Sequence, residues 1–281
     1  MKFGANTFMW TSPFRTENLT LLKKVKEMGF DSIEIPPEDV SLIDLKKLKT
    51  ELKATGLACS ILCASGPSRD ISSDDPSVQK AGTEFIQTCI RVAAELGSTM
   101  MAGPLYAAVG NLRSCSDDER KKQWDRSVKT LKQVADFAKQ YGVVLALEPI
   151  NRFETDMVNT AEYAVRMVED INHPQVKVQL DTFHMNIEEK NIGQAIRKAG
   201  KYLAHFHACE NDRGTPGTGH IPWQEVKEAL RAVGYNGYAV IESFTPETKE
   251  IAKAACIWRP LASSQDSMAQ EGLRFLKNLF K

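Results

Sequence analysis

Residues 117–148 read DDERKKQWDRSVKTLKQVADFAKQYGVVLALE, and this stretch contains the unit from which the fold is built. From Asp117 to Tyr141, apolar residues recur at the spacing of an amphipathic helix. Gly142 follows, at the position where a residue in the left-handed conformation commonly ends a helix. The short apolar run that starts at Val143 then predicts a buried strand that ends at Glu148.

The same unit recurs along the whole chain, because short runs rich in β-branched residues alternate with amphipathic stretches of helical length. The predicted strands span Lys2–Thr7, Ser32–Ile35, Leu57–Cys63, Thr99–Gly103, Val143–Glu148, Val176–Asp181, Leu203–Cys209 and Tyr238–Glu242. The predicted helices span Leu19–Met28, Leu42–Thr55, Ser77–Leu96, Asp117–Tyr141, Thr160–Ile171, Ile192–Ala199, Trp223–Val233 and Ser264–Phe280. Glycines that separate a helix from the next strand are Gly29, Gly56, Gly97, Gly142, Gly200 and Gly234.

Eight such units of about 35 residues each match the usual size of a TIM barrel. The sequence therefore predicts a single α/β domain over residues 1–281, a (β/α)8 TIM barrel with its active site at the C-terminal rim of the strands. An open doubly wound sheet is the main structural alternative, and it would need a glycine-rich phosphate loop after its first strand. The stretch TFMWTSP at residues 7–13 is not such a loop.

Charge and composition narrow the classes of partner. Basic and acidic residues number 36 each, so the formal net charge is zero and no global basic field attracts nucleic acid or anionic lipid. No apolar run approaches the length that spans a bilayer, and the first residues lack the long apolar core of a signal peptide. The six cysteines form no C-x-x-C pair, which favours reduced thiols. We expect a cytoplasmic protein with a small-molecule partner, and neither nucleic acid nor membrane binding.

Acidic or imidazole side chains stand at the ends of four consecutive predicted strands. These residues are Glu148, Asp181, His207 and Glu242. In a closed parallel barrel the strand ends meet at one rim, where neighbouring strands lie about 5 Å apart, so the four side chains could surround one ion. Three carboxylates and one imidazole suit Mn²⁺ or Mg²⁺ better than a structural zinc. For Glu148, the alternative is a salt bridge to Arg152 or Arg213.

Other residues near the rim also have plain structural interpretations. His205 and His207 face the same side of their strand, but His205 lies one layer deeper, where a hydrogen-bonded core histidine is favoured over a second ligand. His184 follows the sixth strand on its loop and could reach a bound hydroxyl. Cys63 ends a predicted strand at this rim, although burial is the favoured interpretation there. Loop residues that could wall a pocket are Trp10, Phe14, Pro67, Tyr106, Phe244 and Trp258.

Glu148 and Glu242 have a further implication for the chemistry. Strands five and eight are three steps apart, which is roughly 135° around an eight-stranded barrel, so the two carboxylates would face each other across the mouth. A substrate between them would have a carboxylate on each face. Inversion of a carbon centre requires this arrangement, because one group removes a proton and the other returns one from the opposite side. A Lewis-acidic ion would stabilise the developing enediolate.

The second half of the chain contains a series of specific motifs. They are EPINRFE at 148–154, LDTFHMNIEE at 180–189, HFH at 205–207, ENDR at 210–213, PGTG at 216–219, PW at 222–223 and IESF at 241–244. These stretches resemble the ketose 3-epimerases, a family of xylose-isomerase-like barrels that includes D-tagatose, D-psicose (allulose) and L-ribulose 3-epimerases. The resemblance covers close to the whole chain. It implies a homodimeric or homotetrameric barrel that binds Mn²⁺, Co²⁺ or Mg²⁺ and epimerises free ketoses at C3.

Residue by residue, the resemblance also implies roles. The implied metal ligands are Glu148, Asp181, His207 and Glu242. The two glutamates among them match the acid/base pair that acts on C3 through a metal-stabilised cis-enediolate, and Mn²⁺ is the expected ion. Glu154, His184 and Arg213 match residues that hold the O1, O2 and O3 end of the open-chain sugar. Phe244 matches an apolar wall residue.

The loop after the fourth strand departs from several relatives, which place a tryptophan there against the far end of the sugar. Residues 106–111 read YAAVGN and contain none. Phe8, Trp10, Cys63 and Leu105 are candidates for the pocket lining, and of these we assign Cys63 to substrate binding. The preferred ketose among D-tagatose, D-fructose or D-psicose, and L-ribulose stays open.

Three other functions compete with C3 epimerisation. An aldose–ketose isomerase of the same superfamily is the nearest alternative, but nothing in the sequence supplies the larger ligand set of a two-metal site. A metal-dependent nuclease of similar fold would need more histidine ligands and a basic face, whereas this chain has five histidines and no net charge. A non-catalytic sugar-binding barrel would not need both Glu148 and Glu242.

Overall fold

Eight parallel strands close into a barrel in their sequence order, from β1 round to β8 and back to β1. The computed structural model describes residues 1–281. Between successive strands the chain passes through helices, as the repeated βα pattern predicts. The predicted TIM barrel is therefore confirmed. None of its helices has the length and apolar composition needed to cross a membrane.

The strands are β1 (Lys2–Asn6), β2 (Ser32–Ile35), β3 (Ala58–Leu62), β4 (Met100–Gly103), β5 (Val144–Leu147), β6 (Val176–Asp181), β7 (Leu203–Ala208) and β8 (Tyr238–Ile241). The helices are α1 (Thr20–Glu27), α2 (Leu45–Thr55), α3 (Pro76–Glu95), α4 (Asp117–Gln140), α5 (Ala161–Ile171), α6 (Thr182–Glu188), α7 (Ile192–Ala199), α8 (Trp223–Ala232), α9 (Lys249–Ala254) and α10 (Gln265–Leu279). Every predicted strand and helix corresponds to one of these elements, and the six glycines predicted to end helices all have positive φ.

Helices α6 and α9 were not predicted, and both follow strands at the C-terminal rim. Asp181 ends β6, and its Oδ1 also accepts a hydrogen bond from the backbone N–H of Phe183 at 2.6 Å, which begins α6 without a connecting loop. Helix α9 has only six residues, too few for a periodic pattern to be visible. His184 therefore lies on a helix, and its predicted place on a loop is wrong.

Polar side chains form a layer inside the barrel, below the rim. Asn6 on β1, Glu34 on β2 and Ser60 on β3 are in register with one another, and all three are buried. Alternate residues of the same strands, such as Ile33 and Ile61, belong to the large apolar core instead. Because successive strand residues face opposite sides, the polar side chains of neighbouring strands meet in the barrel interior.

Gly103 is the last residue of β4 and lies beside Glu148 at the C-terminal rim of the barrel. Its carbonyl oxygen accepts hydrogen bonds from the backbone N–H groups of Leu105 at 2.8 Å and Glu148 at 3.0 Å. Its φ is 129°, and a Cβ atom added here would collide with the carbonyl oxygen of Cys63. Only glycine fits this conformation at this spacing, so the close approach of β3 and β4 fixes the backbone beside Glu148.

We expect Gly103→Ala to destabilise the barrel more than Gly110→Ala does. Gly110 also has positive φ, at 87°, but an added Cβ would meet nothing within 4 Å. The Gly110 variant should lose about 1 kcal/mol from its backbone conformation, and the Gly103 variant about 1 to 3 kcal/mol more from overpacking. Urea denaturation measures both free energies of unfolding. Equal losses would show that the contact with Cys63 imposes no constraint.

Candidate active site

Four buried side chains from four consecutive strands converge at the C-terminal rim of the barrel. Glu148 directly follows β5, Asp181 ends β6, His207 lies on β7 and Glu242 directly follows β8. Their carboxylate oxygens and one imidazole nitrogen all lie within 4.8 Å of one another, and each residue is at most 5% exposed. The four predicted strand-end residues therefore form one compact cluster, which we call the rim cluster.

His207 occupies the centre of the rim cluster. Its Nδ1 lies 3.3 Å from Oε2 of Glu242, 3.8 Å from Oδ2 of Asp181 and 3.9 Å from Oε1 of Glu148. The amide Nε2 of Gln179, one layer below, is 3.1 Å from the same nitrogen. One imidazole nitrogen thus faces oxygen atoms from three different strands.

The rim cluster suits a divalent metal ion. Oε1 of Glu148 is buried without a hydrogen-bond partner, although a buried carboxylate oxygen is costly unless it is paired. Burial raises the pKa of Glu148 well above its usual range, and the nearby carboxylates of Glu242 and Asp181 add to the shift. A cation held between these groups would pair with this oxygen and would stabilise the ionised carboxylates. Three carboxylates and one imidazole are a ligand set for a hard or borderline divalent ion.

Arg213 is the one arginine that contacts the rim cluster. Its Nη1 donates to Oδ2 of Asp181 at 2.6 Å and to Oε2 of Glu242 at 2.9 Å. The guanidinium lies between two aromatic rings, with its Cζ 4.2 Å from the ring centre of Phe183 and 4.8 Å from that of Phe244. Such stacking restricts the guanidinium to one position.

The predicted salt-bridge alternative for Glu148 is wrong for both arginines. Arg152 instead pairs with Glu188 at 2.9 Å on the outer surface, and Arg213 contacts the other two carboxylates. This leaves Glu148 without a lysine or arginine partner.

His184 and Glu154 lie beside the rim cluster and share one anchor. His184 Nδ1 accepts a hydrogen bond from the backbone N–H of Asn151 at 3.1 Å, while Oε1 of Glu154 accepts one from the side-chain amide of Asn151 at 2.7 Å. Burial, followed by the charge of Arg213, lowers the pKa of His184 to about 3, so its imidazole is neutral near pH 7. Burial raises the pKa of Glu154.

A pocket of about 390 Å³ opens above the rim cluster. Glu148 and Glu242 line it directly, whereas Asp181 and His207 lie behind them and are fully buried. The polar end of the pocket also includes Glu154, His184 and Arg213. The remaining wall includes Phe8, Leu62, Phe85, Val109, Phe244 and Ile251, together with the half-buried Glu38. Two carboxylates of the cluster can therefore reach a bound molecule.

Cys63 does not line the pocket, which corrects its assignment to substrate binding. It is 1% exposed, and its thiol contacts Cys89 of α3, so the side chain points away from the barrel interior. Leu62 precedes it on β3 and faces the pocket, followed along the chain by Ala64 and Ser65. The alternation of side chains along a strand explains the difference, because one residue along the chain reverses the face.

Most of the predicted aromatic wall also lies elsewhere. Tyr106 is fully buried and donates its hydroxyl to the carbonyl of Val158 at 3.0 Å, and Phe14 is 1% exposed in the core. Trp10 is partly buried and hydrogen-bonds Asp266, whereas Trp258 is 73% exposed. Leu105 and Pro67 are also absent from the lining, in contrast to Phe8 and Phe244.

Glu34 is the residue near the site that the sequence reasoning missed. It lies in the middle of β2 and is 0% exposed. Its two carboxylate oxygens lie 2.7 Å from Nε2 of His205 and 2.7 Å from Nε2 of His207. A signal was present, because a glutamate inside the short apolar run SIEI is as unusual as one at the end of a buried strand.

Comparison with known proteins agrees with the fold. The family model of the xylose isomerase-like TIM barrels matches residues 22–279. A D-psicose 3-epimerase of Ruminiclostridium cellulolyticum is 35% identical over 269 residues, which cover 95% of this chain and 92% of that protein. The chain belongs to the ketose 3-epimerase family. It is therefore an epimerase, which is a class of isomerase.

Other members of the ketose 3-epimerase family show the same extent of similarity. An L-ribulose 3-epimerase of Mesorhizobium japonicum is 35% identical over 279 residues, covering 98% of this chain and 93% of that protein. The solved D-psicose 3-epimerase of Clostridium cellulolyticum H10 with D-tagatose has a TM-score of 0.93 at 34% identity, over 100% of both chains.

Leu62 and Cys63 face opposite sides of β3, so substitutions at these two positions should have different effects. Cys63→Ala should leave the KM for a ketose within about twofold, the effect typical of residues away from a site, while unfolding free energy falls by about 1 kcal/mol. Leu62→Ala should raise the KM by more than this, because it removes part of the pocket wall. Steady-state kinetics and urea denaturation of both variants measure these effects. An equal rise of the KM in both variants would show that Cys63 contributes to substrate binding after all.

Proposed function

We propose that this epimerase inverts C3 of free ketoses by a metal-dependent reaction, with D-tagatose, D-fructose and L-ribulose as candidate substrates. The observation that carries the proposal is that Glu148 and Glu242 line the pocket from β5 and β8, while Asp181 and His207 support them from behind. The D-psicose and L-ribulose 3-epimerases among its relatives support C3 as the reacting centre.

The ion would be held by all four residues of the rim cluster. Manganese fits the donor set well, and Co²⁺ or Mg²⁺ are alternatives because carboxylate-rich sites accept several divalent ions. Bound there, such an ion would act as a Lewis acid and stabilise negative charge on the oxygens of the substrate. The unpartnered oxygen of Glu148 supports this assignment.

Glu148 and Glu242 are the proposed acid/base pair. One carboxylate takes the proton from C3, and the other returns a proton to the opposite face of the same carbon. Both carboxylates line the pocket, so each can reach one face of a bound ketose and exchange a proton with it. Two carboxylates on opposite sides of a substrate allow the reaction to run in either direction.

We propose that His184, Arg213 and Glu154 bind the oxygen atoms at the C1 to C3 end of the ketose. These side chains line the polar end of the pocket, next to the proposed acid/base pair. Because Nδ1 of His184 accepts from the backbone N–H of Asn151, a neutral His184 carries its proton on Nε2 and can donate it to a substrate oxygen. The stacked guanidinium of Arg213 is a second donor beside it. Phe244 forms part of the apolar wall beside them.

The charge of the pocket lining supports a free ketose over a sugar phosphate. Arg213 is the only lysine or arginine in the lining, and it already pairs with two carboxylates. The apolar wall away from the rim cluster carries a carboxylate, Glu38, whose oxygens accept hydrogen bonds from the Ser12 hydroxyl at 2.9 and 3.0 Å. A phosphate there would face the carboxylate of Glu38, and no lysine or arginine of that part of the lining would neutralise it.

The resemblance to homodimeric and homotetrameric epimerases makes a homo-oligomer our prediction for the assembly. The proposed partner of the pocket is a small-molecule ketose.

The first test is exchange in D₂O, read by NMR, with D-tagatose, D-fructose, L-ribulose and D-tagatose 6-phosphate. The Mn²⁺-loaded protein should label C3 of a free ketose and produce its C3 epimer, and EDTA treatment should stop both. The 6-phosphate should exchange far more slowly. Aldose as the main product would favour the isomerase alternative, and metal-independent exchange would contradict the proposed ion.

Glu242→Gln tests the acid/base pair separately. Loss of the carboxylate should lower kcat for C3 exchange by about 10² to 10⁴-fold, because a positioned acid or base typically contributes that much. Glu250→Gln on α9 is the matched control, since Glu250 is exposed and outside the rim cluster, and its kcat should not change. Turnover in Glu242→Gln equal to that of the control would remove Glu242 from the mechanism.

A further inference from the structure

We infer that Glu34 is a positioning residue that holds the proton of His207 on Nε2, so that Nδ1 presents a lone pair to the rim cluster. This inference deepens the proposed metal site and rests on it. Glu34 lies on β2, three strands away from His207 on β7 around the closed barrel, and reaches it through the barrel interior.

The two nitrogens of His207 contact different groups. Nε2 lies 2.7 Å from Oε1 of Glu34, whereas Nδ1 lies 3.3 to 3.9 Å from the oxygens of Glu242, Asp181 and Glu148. An ionised carboxylate can only accept hydrogen bonds, and a neutral imidazole carries one N–H. The contact with Glu34 therefore assigns the N–H to Nε2 and leaves Nδ1 unprotonated, so that its electron pair faces the rim cluster and the side-chain amide of Gln179 at 3.1 Å.

Four donors hold the carboxylate of Glu34 in place. Oε1 accepts from His207 and from the side-chain amide of Asn6 at 3.0 Å. Oε2 accepts from His205 at 2.7 Å and from the hydroxyl of Ser60 at 2.8 Å. Four donors match the approximately four lone-pair positions of a carboxylate, so Glu34 has no freedom to turn away from His207. Its ionised state is favoured as well, because every donor stabilises the anion.

Asn6 connects Glu34 to the rim cluster by a second route. Its side-chain amide lies 3.0 Å from Oε1 of Glu34 and 3.4 Å from Oε1 of Glu242. The side-chain oxygen of Asn6 accepts a hydrogen bond from the backbone N–H of Phe8, which fixes the orientation of the amide. The polar layer of the barrel thus orients both a proposed ligand and a proposed catalytic carboxylate.

A second metal ion between Glu34, His205 and His207 would be a different interpretation of the same residues. The contact distances contradict it. Ligand atoms about 2.0 to 2.2 Å from one tetrahedral ion lie more than 3 Å from each other. Both nitrogen–oxygen pairs here are 2.7 Å apart, which is the length of a charge-assisted hydrogen bond.

Glu34→Gln is the variant that tests the inference. The amide has one accepting oxygen where the carboxylate has two, so it cannot accept from both histidines. If its NH₂ group faces His207, the ring proton must move to Nδ1, and if its oxygen faces His207, the acceptor is neutral and weaker. We expect the Kd for Mn²⁺, measured by the EPR signal of free Mn²⁺, to rise by about 10 to 100-fold.

Asp70→Asn is the matched control, because it also converts a buried carboxylate into an amide. Asp70 is 3% exposed and accepts hydrogen bonds from Ser72 and Ala108, but it contacts neither Glu34 nor the rim cluster. Its Kd for Mn²⁺ should stay within about threefold of that of the unmodified protein, because substitutions away from a site have small effects. Thermal melts of both variants separate weak binding from loss of folding. Equal weakening of Mn²⁺ binding in both would overturn the positioning role.

The proton itself can be located without any variant at Glu34. In Zn²⁺-loaded, ¹⁵N-histidine-labelled protein, two-bond ¹H–¹⁵N correlation spectra should show His207 protonated at Nε2 and metal-bound at Nδ1, with assignment by His205→Asn. A proton on Nδ1 would overturn the inference. If the protein binds neither Mn²⁺ nor Zn²⁺, the proposed metal site itself fails. Tight Mn²⁺ binding that is unchanged in Glu34→Gln would contradict the positioning role of Glu34 but not the proposed metal site.

Discussion

Repulsion between three buried carboxylates is the constraint on which the rest of the site depends. Glu148, Asp181 and Glu242 come from separate strands, and their oxygens lie within 4.8 Å of one another. Two such charges 4 Å apart repel by about 4 kcal/mol even at an effective dielectric constant of 20. Arg213 offsets part of this cost by binding two of the three, and a divalent ion would offset the remainder. The protein thus places negative charge where a cation is to be bound.

Arg213 can do this because the loop after β7 holds its backbone in a strained conformation. Its φ is 66°, in the left-handed region that few residues other than glycine adopt, and such strain is concentrated at functional sites. The carbonyl of Arg213 accepts from the backbone N–H of Phe244, which ties this loop to the end of β8. Glu210, in the same loop, accepts hydrogen bonds from the N–H groups of Gly217 and Ile221 and from the Trp223 indole. A long loop with this many internal bonds can hold a buried arginine rigidly.

The sequence predicted the barrel and the rim cluster because both follow from chain-local rules. A strand end is visible in the sequence, and a closed parallel barrel brings all strand ends to one rim, so Glu148 and Glu242 needed no further information. A glutamate inside the apolar run SIEI is a local signal, but the role of Glu34 depends on its contacts with β7 across the barrel interior, which no local pattern reports. Cys63 was misassigned because successive residues of a strand face opposite sides, and Leu62, two residues after Ser60, is the one that faces the pocket. The prediction that aromatic loop residues line the pocket was mostly wrong for a related reason, since tertiary contacts alone decide which way a loop side chain points.

The polar layer beneath the rim is better explained by function than by stability. Buried ionic and polar networks contribute little net stability, and replacing them with well-packed apolar residues is often neutral or stabilising. A barrel interior is ordinarily filled by branched apolar side chains, yet Asn6, Glu34, Ser60 and His205 occupy one continuous layer here. The other three side chains all contact Glu34, and Glu34 in turn contacts His207. The layer therefore makes sense as a support that fixes one imidazole, and the functional part of the molecule extends from the rim into the middle of the barrel.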